Sequence, residues 1–169
     1  MSDDLDKEYM NLAIEQARIS LDHGDYPVGS VLVIDDKFIS KNRNKLNSNG
    51  DWSSHAEAIL IRENAKLIRD CVKYNNSKVT LYTTLEPCLM CLGTSVMNRV
   101  SRIVYSCPDP HGGATHIDPN YLTNWYVKKW PKIDGGLYRE KSFEFLVEFM
   151  KNSNWNSILC LFEEMKSKW

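Results

Sequence analysis

The run VGSVLVI at 28–34 constrains this chain more than any other stretch. It is nearly continuously apolar and rich in β-branched residues. Strand side chains alternate between faces, so a strand built from it is apolar on both sides and needs cover on both. The flanking sequence supplies candidates for that cover. Leu5, Tyr9, Leu12, Ala13, Ala17 and Leu21 recur at amphipathic-helix spacing until DHGDYP breaks the pattern. After Ile34, DDK predicts a hairpin turn into a second strand at FIS. A polar loop, KNRNKLNSNGDWSS, then leads into helical spacing from His55 to about Ile68, with Ser53 or Ser54 as its N-cap. VTLYTT at 79–84 reads as the next strand. Pro87 suits the first position of a helix running to about Asn98. RIVYS at 102–106 is a further strand, and SFEFLVEFM from Ser142 a later helix. Residues 107–136 carry no clear pattern. Strands alternating with helices predict an α/β fold with helices on both faces of one sheet.

At 169 residues the chain has the length of one domain. A chain of this size buries about 70% of its unfolded surface, so a metal is not needed to hold the fold. Lys plus Arg number 21 against 22 Asp plus Glu, a formal net charge of −1 with no block of five like charges, and nothing in that balance announces nucleic acid. The acidic start MSDDLDKEYM lacks a signal-peptide pattern and no run of 18 apolar residues occurs, which predicts a cytoplasmic protein with no membrane partner. Cys71, Cys88, Cys91, Cys107 and Cys160 are odd in number and irregularly spaced, unlike a disulfide framework; reduced thiols or metal ligands are expected.

The segment TTLEPCLMC places Cys88 and Cys91 three apart at the start of the helix expected after Pro87, so both thiols share one face. A helix N-terminus also favours the thiolate. Two readings compete. A strand followed by Cys-x-x-Cys at a helix start is how thioredoxin-like proteins present a redox dithiol. Alternatively His55, at the start of a separate helix, joins the thiols as a third metal ligand, with Glu57 two residues beyond it. Three protein ligands and one open position describe a catalytic zinc, at which a neighbouring carboxylate moves protons. A fourth ligand from Cys71, Cys107, His111 or His116 would make the site structural instead.

HAEAIL together with TLEPCLMC resembles the zinc-dependent cytidine and deoxycytidylate deaminase superfamily, which carries His-x-Glu and Pro-Cys-x-x-Cys. The likeness runs from about Tyr9 to Phe149. It is nearest to the subgroup of tRNA adenosine deaminases, guanine deaminases and fungal cytosine deaminase. The resemblance implies a three-layer α/β sandwich with a five-stranded mixed sheet between helices, one zinc held by His55, Cys88 and Cys91, and Glu57 as the proton-moving catalytic residue. It also implies substrate contacts from Asn44, eleven residues before His55, and from Asp109 in SRIVYSCPDPHGGA, and it makes a homodimer the expected assembly. Residues 1–169 would form a single deaminase domain, with 153–169 a C-terminal helical extension. DWSS stands where relatives carry Asp-Pro-Thr-Ala, putting Trp52 in the loop before the zinc histidine.

The reading that follows is hydrolytic deamination of an amino-substituted nucleobase or nucleoside. The alternative is a tRNA-specific adenosine deaminase acting at the wobble position; a dithiol redox or structural-zinc module is a distant third, because it gives His55 and Glu57 no role. Formal charge favours the small substrate over tRNA, although KKWPK at 128–132 with Arg99 and Arg102 could gather into a basic patch. Trp155, Ile158, Leu159, Leu161, Phe162, Met165 and Trp169 recur at roughly helical spacing, and a C-terminal helix is expected to cover the zinc pocket, with Cys160 on its apolar side.

Overall fold

A computed structural model describes residues 3–169. The first helix, α1 (Asp3–Asp22), leads into strand β1 (Gly29–Ile34), which turns into β2 (Lys37–Arg43). Short α2 (Leu46–Asn49) follows, then α3 (Ala56–Glu63), α4 (Ala65–Asn75), β3 (Val79–Leu85), α5 (Leu89–Met97) and β4 (Arg102–Cys107). A 3-10 turn (Pro119–Tyr121), α6 (Asn124–Val127), β5 (Lys132–Gly135), α7 (Arg139–Asn152) and α8 (Asn156–Lys166) complete the chain. The five strands form one mixed sheet in the order β2-β1-β3-β4-β5, with β1 antiparallel to both its neighbours and β3, β4 and β5 parallel.

The alternation of strand side chains explains the unbroken apolar runs. Val31, Val33, Tyr82 and Val104 face α1, packing with Tyr9, Met10 and Ala13. Leu32, Ile34, Val79, Leu81 and Ile103 face the other way, onto Leu60 and Ile61 of α3, Ile68 of α4, and Leu92 and Val96 of α5. All six β1 residues are buried. Gly29 is required where α1 crosses β1: a β-carbon there would run into Ala13 O and the Ala17 backbone. The hairpin after Ile34 forms through Asp35 and Asp36, both at positive φ (49° and 60°), the twist that a two-residue hairpin turn needs.

Several boundaries differ from the sequence expectation. The helix expected from His55 breaks at Asn64, whose side-chain amide donates to Leu60 O and to Ser40 Oγ on β2 and so diverts the helix path into α4. The supposed polar loop contains the end of β2 and all of α2. Pro87 lies outside α5, whose N-cap is Cys88. Cys160 is exposed, while Leu159 and Phe162 are the residues of α8 that turn inward.

Arg102 of β4 does not join a basic patch. It donates to both carboxylate oxygens of Asp6 (2.8 and 2.7 Å) and to Asp134 of β5 (2.7 Å), and Tyr82 donates to Asp6 at 2.6 Å. This network ties α1 to three strands. The Arg102 hydrogen bond is the main reason that the Asp6 carboxyl lies below its ordinary value of 3.8. A carboxylate with a depressed folded pKa stabilises above its unfolded pKa and loses that contribution as pH falls through the folded value. Asp6→Asn is therefore expected to cost about 1–3 kcal/mol at neutral pH and to flatten the fall in stability below about pH 4. Denaturant unfolding at pH 7, 4 and 3 checks both; equal losses at all three pH values would show that the charge is not what matters.

Candidate active site

The packing of α3 beside α5 on one face of the sheet brings the first residues of both helices together. His55 is the N-cap of α3 and Cys88 the N-cap of α5, both in extended conformation (φ −74°, ψ 146° and φ −70°, ψ 171°). Neither side chain caps its own helix, which leaves both turned toward the shared space. Cys91, one turn into α5, completes a group whose ligating atoms all lie within 4.8 Å of one another. His55 Nδ1 is 3.6 Å from Cys88 Sγ and 3.5 Å from Cys91 Sγ. Zinc bonds of about 2.3 Å to sulfur and 2.05 Å to nitrogen, at a tetrahedral angle, separate the two atoms by about 3.6 Å. These distances are thus edges of a zinc tetrahedron already built into the chain. The donor set, one imidazole and two thiols, is also the set zinc prefers. Among the described residues, Cys71, Cys107, His111 and His116 lie outside this group.

The electrostatics favour a cation. A hydrogen bond from Cys91 draws Cys88 down to about 4, against the opposing cost of burial, with His55 adding a second hydrogen bond. Cys91 is pushed up by giving that bond and by burial. His55 is raised, chiefly through its hydrogen bond to Cys88. Glu57 is 3% exposed, and its burial raises its carboxyl above the ordinary value.

The group sits in a cavity of about 70 Å³ lined by Tyr26, Val28, Asn44, His55, Glu57, Leu85, Glu86, Cys88 and Asp109. Asn44 is 2% exposed. Its carbonyl accepts from Ser20 Oγ and Arg43 Nη1, and its Oδ1 accepts from the Leu46 N–H, which leaves the Nδ2 donor without a partner among the described residues. Fully buried Asp25 holds this loop in place, taking Arg43 (2.7 Å), the N–H groups of Asn47 and Ser48, and the Ser48 hydroxyl. Asp109 lies on the opposite rim, where its Oδ1 accepts the N–H groups of His111 and Gly112. Trp52 is 85% exposed and lines none of the cavity.

Four lining residues had no site role in the sequence reading: Val28 and Leu85, apolar wall residues at strand ends, and Tyr26 and Glu86. Tyr26 forms part of the wall, packed edge-on against Phe149 (5.2 Å) and at a tilt against Trp155 (5.8 Å), just before α8. Glu86 fastens the rim. Its Oε2 accepts the Asp109 N–H (3.0 Å), and its Oε1 accepts the Thr115 N–H (3.0 Å) and hydroxyl (2.6 Å). A β-carbon at Gly113 would strike that carboxylate, so the glycine lets the loop close on it. The one sequence signal for Glu86 is its place between the end of β3 at Leu85 and Pro87. No residue of α8 lines the cavity, contrary to the cover expected of it.

Two helix N-termini converging on a histidine, two cysteines and a buried glutamate, beside a mixed five-stranded sheet, make a site fit for a catalytic zinc. The profile of the cytidine and deoxycytidylate deaminase zinc-binding region matches residues 3–107, and the chain belongs to that family. It is a zinc-dependent hydrolase of the nucleobase and nucleoside deaminase class. It is 32% identical over 146 residues to a tRNA-specific adenosine deaminase of Bacillus subtilis, covering 86% of this chain and 89% of that one. A structure from a study of tRNA A34 deaminases superposes with a TM-score of 0.64 at 29% identity, covering 82% of this chain and 99% of that one. A guanine deaminase from Nitrosomonas europaea shares the fold, with a TM-score of 0.70 at 18% identity over 85% of this chain and 83% of that one.

Replacing Glu86 by Ala is expected to free the rim loop: amide hydrogen exchange at Asp109 and Thr115 should accelerate while that of β1 does not, at a stability cost of about 1–3 kcal/mol. Unchanged exchange at both amides would mean that the loop is held by other contacts.

Proposed function

We propose that this chain deaminates adenosine to inosine at the wobble position of tRNA. The observation that carries the reading is its likeness to tRNA-specific adenosine deaminases along most of both chains. The cavity is compatible with it, because no residue of α8 lines it. The preference for a free base or nucleoside rests on formal charge, which averages over the whole surface and says nothing of where cations gather, and on a C-terminal cover that the cavity lining does not include.

In this reading His55 Nδ1, Cys88 Sγ and Cys91 Sγ would hold the zinc, which would supply a Lewis acid that lowers the pKa of a water to about 7. Glu57 takes the proton from the attacking water, delivers it to the ring nitrogen beside the reacting carbon, and assists departure of the amine as ammonia. Its burial suits that traffic, since a carboxyl raised toward neutrality both accepts and gives up a proton readily. Asn44 Nδ2 donates to the extruded nucleoside, and Asp109 sits at the rim where the next nucleotide passes. Val28 and Leu85 present the apolar wall against which a base lies.

The purified protein is expected to contain one zinc per chain by metal analysis, and Cys91→Ala to lose it. Glu57→Ala should retain the zinc and lose activity by at least about 10²-fold; residual activity near that of the parent would assign the proton transfer to another group. The substrate is tested by measuring inosine in an anticodon stem-loop beside ammonia release from cytosine, adenine, guanine and their nucleosides. Turnover of a free base with no inosine in the stem-loop would replace this reading.

A further inference from the structure

Buried hydroxyls in this protein have partners almost without exception. Ser20 donates to Tyr26 O and Asn44 O, Ser95 to Cys91 O and Ser142 to Ser106, while Thr84 accepts the Gly29 N–H. Ser30 and Thr83 are the exceptions among the described residues: both are 0% exposed, and neither side-chain oxygen has a hydrogen-bond partner there. They are not two separate cases. Ser30 of β1 and Thr83 of β3 are register partners, so their side chains stand on the same face of the sheet, with β-carbons about 4.5–5.5 Å apart. A buried hydroxyl left without a partner costs about 1–3 kcal/mol, so two side by side call for a shared one.

Their place in the sheet indicates what that partner touches. Leu32 and Leu81 form the next rung on the same face, pairing across β1 and β3 and packing under Leu60 of α3. In the other direction, two residues along each strand, Val28 and Leu85 belong to the wall of the candidate site, whose cavity Glu57 of α3 also lines. Glu57 and Leu60 are three apart and so share one face of that helix. The rung of hydroxyls therefore lies between the apolar core and the site, beneath the turn of α3 that runs from Glu57 to Leu60. It is one step behind the cavity wall.

We propose that Ser30 and Thr83 bind one buried water that donates a hydrogen bond to the Glu57 carboxylate and fixes its position. Both are positioning residues, which act on the reaction through Glu57. The inference rests on the proton-carrying role given to Glu57 above and is independent of which substrate carries the amine. The hydrogen-bond count closes: each hydroxyl donates to the water oxygen and the water gives one hydrogen to Glu57, which makes about the three bonds usual for a buried water. A carboxylate that takes a proton from one atom and passes it to another must keep its oxygens in place while its charge changes. A donor behind it, anchored on two strands of the sheet, supplies that constraint. The rival account is that the two hydroxyls are simply unpaired and tolerated at a cost in stability.

The test compares the zinc-loaded parent with Ser30→Ala, Thr83→Val, the double variant and the conservative Thr83→Ser, with metal analysis and thermal melting of each. A crystal structure of the parent is expected to show a water within hydrogen-bond reach of Ser30 Oγ, Thr83 Oγ1 and the Glu57 carboxylate, and that of the double variant to lack it. With inosine formation in an anticodon stem-loop as the assay, Ser30→Ala and Thr83→Val should each lower kcat by about tenfold and leave KM unchanged. The double variant should lose little more than either single one, because one water serves both hydroxyls, and Thr83→Ser should keep the parent kcat. No water at this place would overturn the proposal. So would a double variant that melts higher than the parent and turns over as fast, the behaviour of two unpaired hydroxyls replaced by apolar groups. A fall in kcat that follows loss of zinc would also overturn it, by placing the effect at the metal. If the parent forms no inosine, the tRNA reading falls and the same kinetics are measured on the base or nucleoside from which it releases ammonia. Glu57→Ala with near-parent activity would sink the role given to Glu57, whereas an inactive Glu57→Ala with no water behind it in the parent would sink this inference alone.

Discussion

The side-by-side packing of α3 and α5 on one face of the sheet is the constraint from which the rest follows. Leu60 and Ile61 share a cluster with Leu92 and Val96 over Leu32, Leu81 and Ile103. Burying such side chains is worth about 1.5–3 kcal/mol each, so the relative position of the two helices is strongly fixed. Their N-termini are fixed with them. His55 and Cys88 are both N-caps whose side chains do not cap, and the positive ends of two helix dipoles meet where the two cysteine sulfurs are. The metal tetrahedron is therefore a product of core packing. The spacing of 3.5 and 3.6 Å between imidazole and sulfurs is held by residues that never approach the site.

What was legible in the sequence follows the same division. His55, Glu57, Cys88 and Cys91 were readable because each sits at a helix start, where composition and position constrain one another. The apolar run at 28–34 was readable because a strand buried on both faces has few other ways to look. The break at Asn64 was not, because it depends on Ser40, 24 residues away, receiving the asparagine amide. The segment 107–136 was opaque for a related reason. Its order comes from Glu86 and from pairing with β4, so β5 is a strand only because Ile103 and Val104 lie beside Ile133 and Asp134. Glu86 itself was quoted within the motif and given no role, since its partners lie 23 and 29 residues further on.

Net charge is a weak guide to the surface of this chain for a physical reason. Arg102, which the sequence placed with a basic patch, is neutralised by Asp6 and Asp134 at the far edge of the sheet. The cations of α4, the end of α5 and the segment at 128–129 keep a single carboxylate partner among the described residues. A chain with a formal charge of −1 can thus gather cations on one part of its surface, because fields within a Debye length of about 8–10 Å respond to local groups and not to the sum.

The C-terminal helix shows how an apolar segment can serve a site without covering it. Leu159 and Phe162 of α8 pack into one cluster with Val28, Leu85 and Cys107, and Val28 and Leu85 are two of the residues that face the cavity. Trp155, just before α8, lies against Tyr26, a third. Each wall residue thus has a partner behind it, either α8 itself or α7 through Phe143, Leu146 and Phe149. A wall backed in this way resists displacement when a base presses on it, and a site needs such support to hold its geometry to within about 0.5 Å. An apolar C-terminal stripe is equally compatible with a lid and with a buttress. Lining decides between them, and here α8 packs on the outer side of the wall.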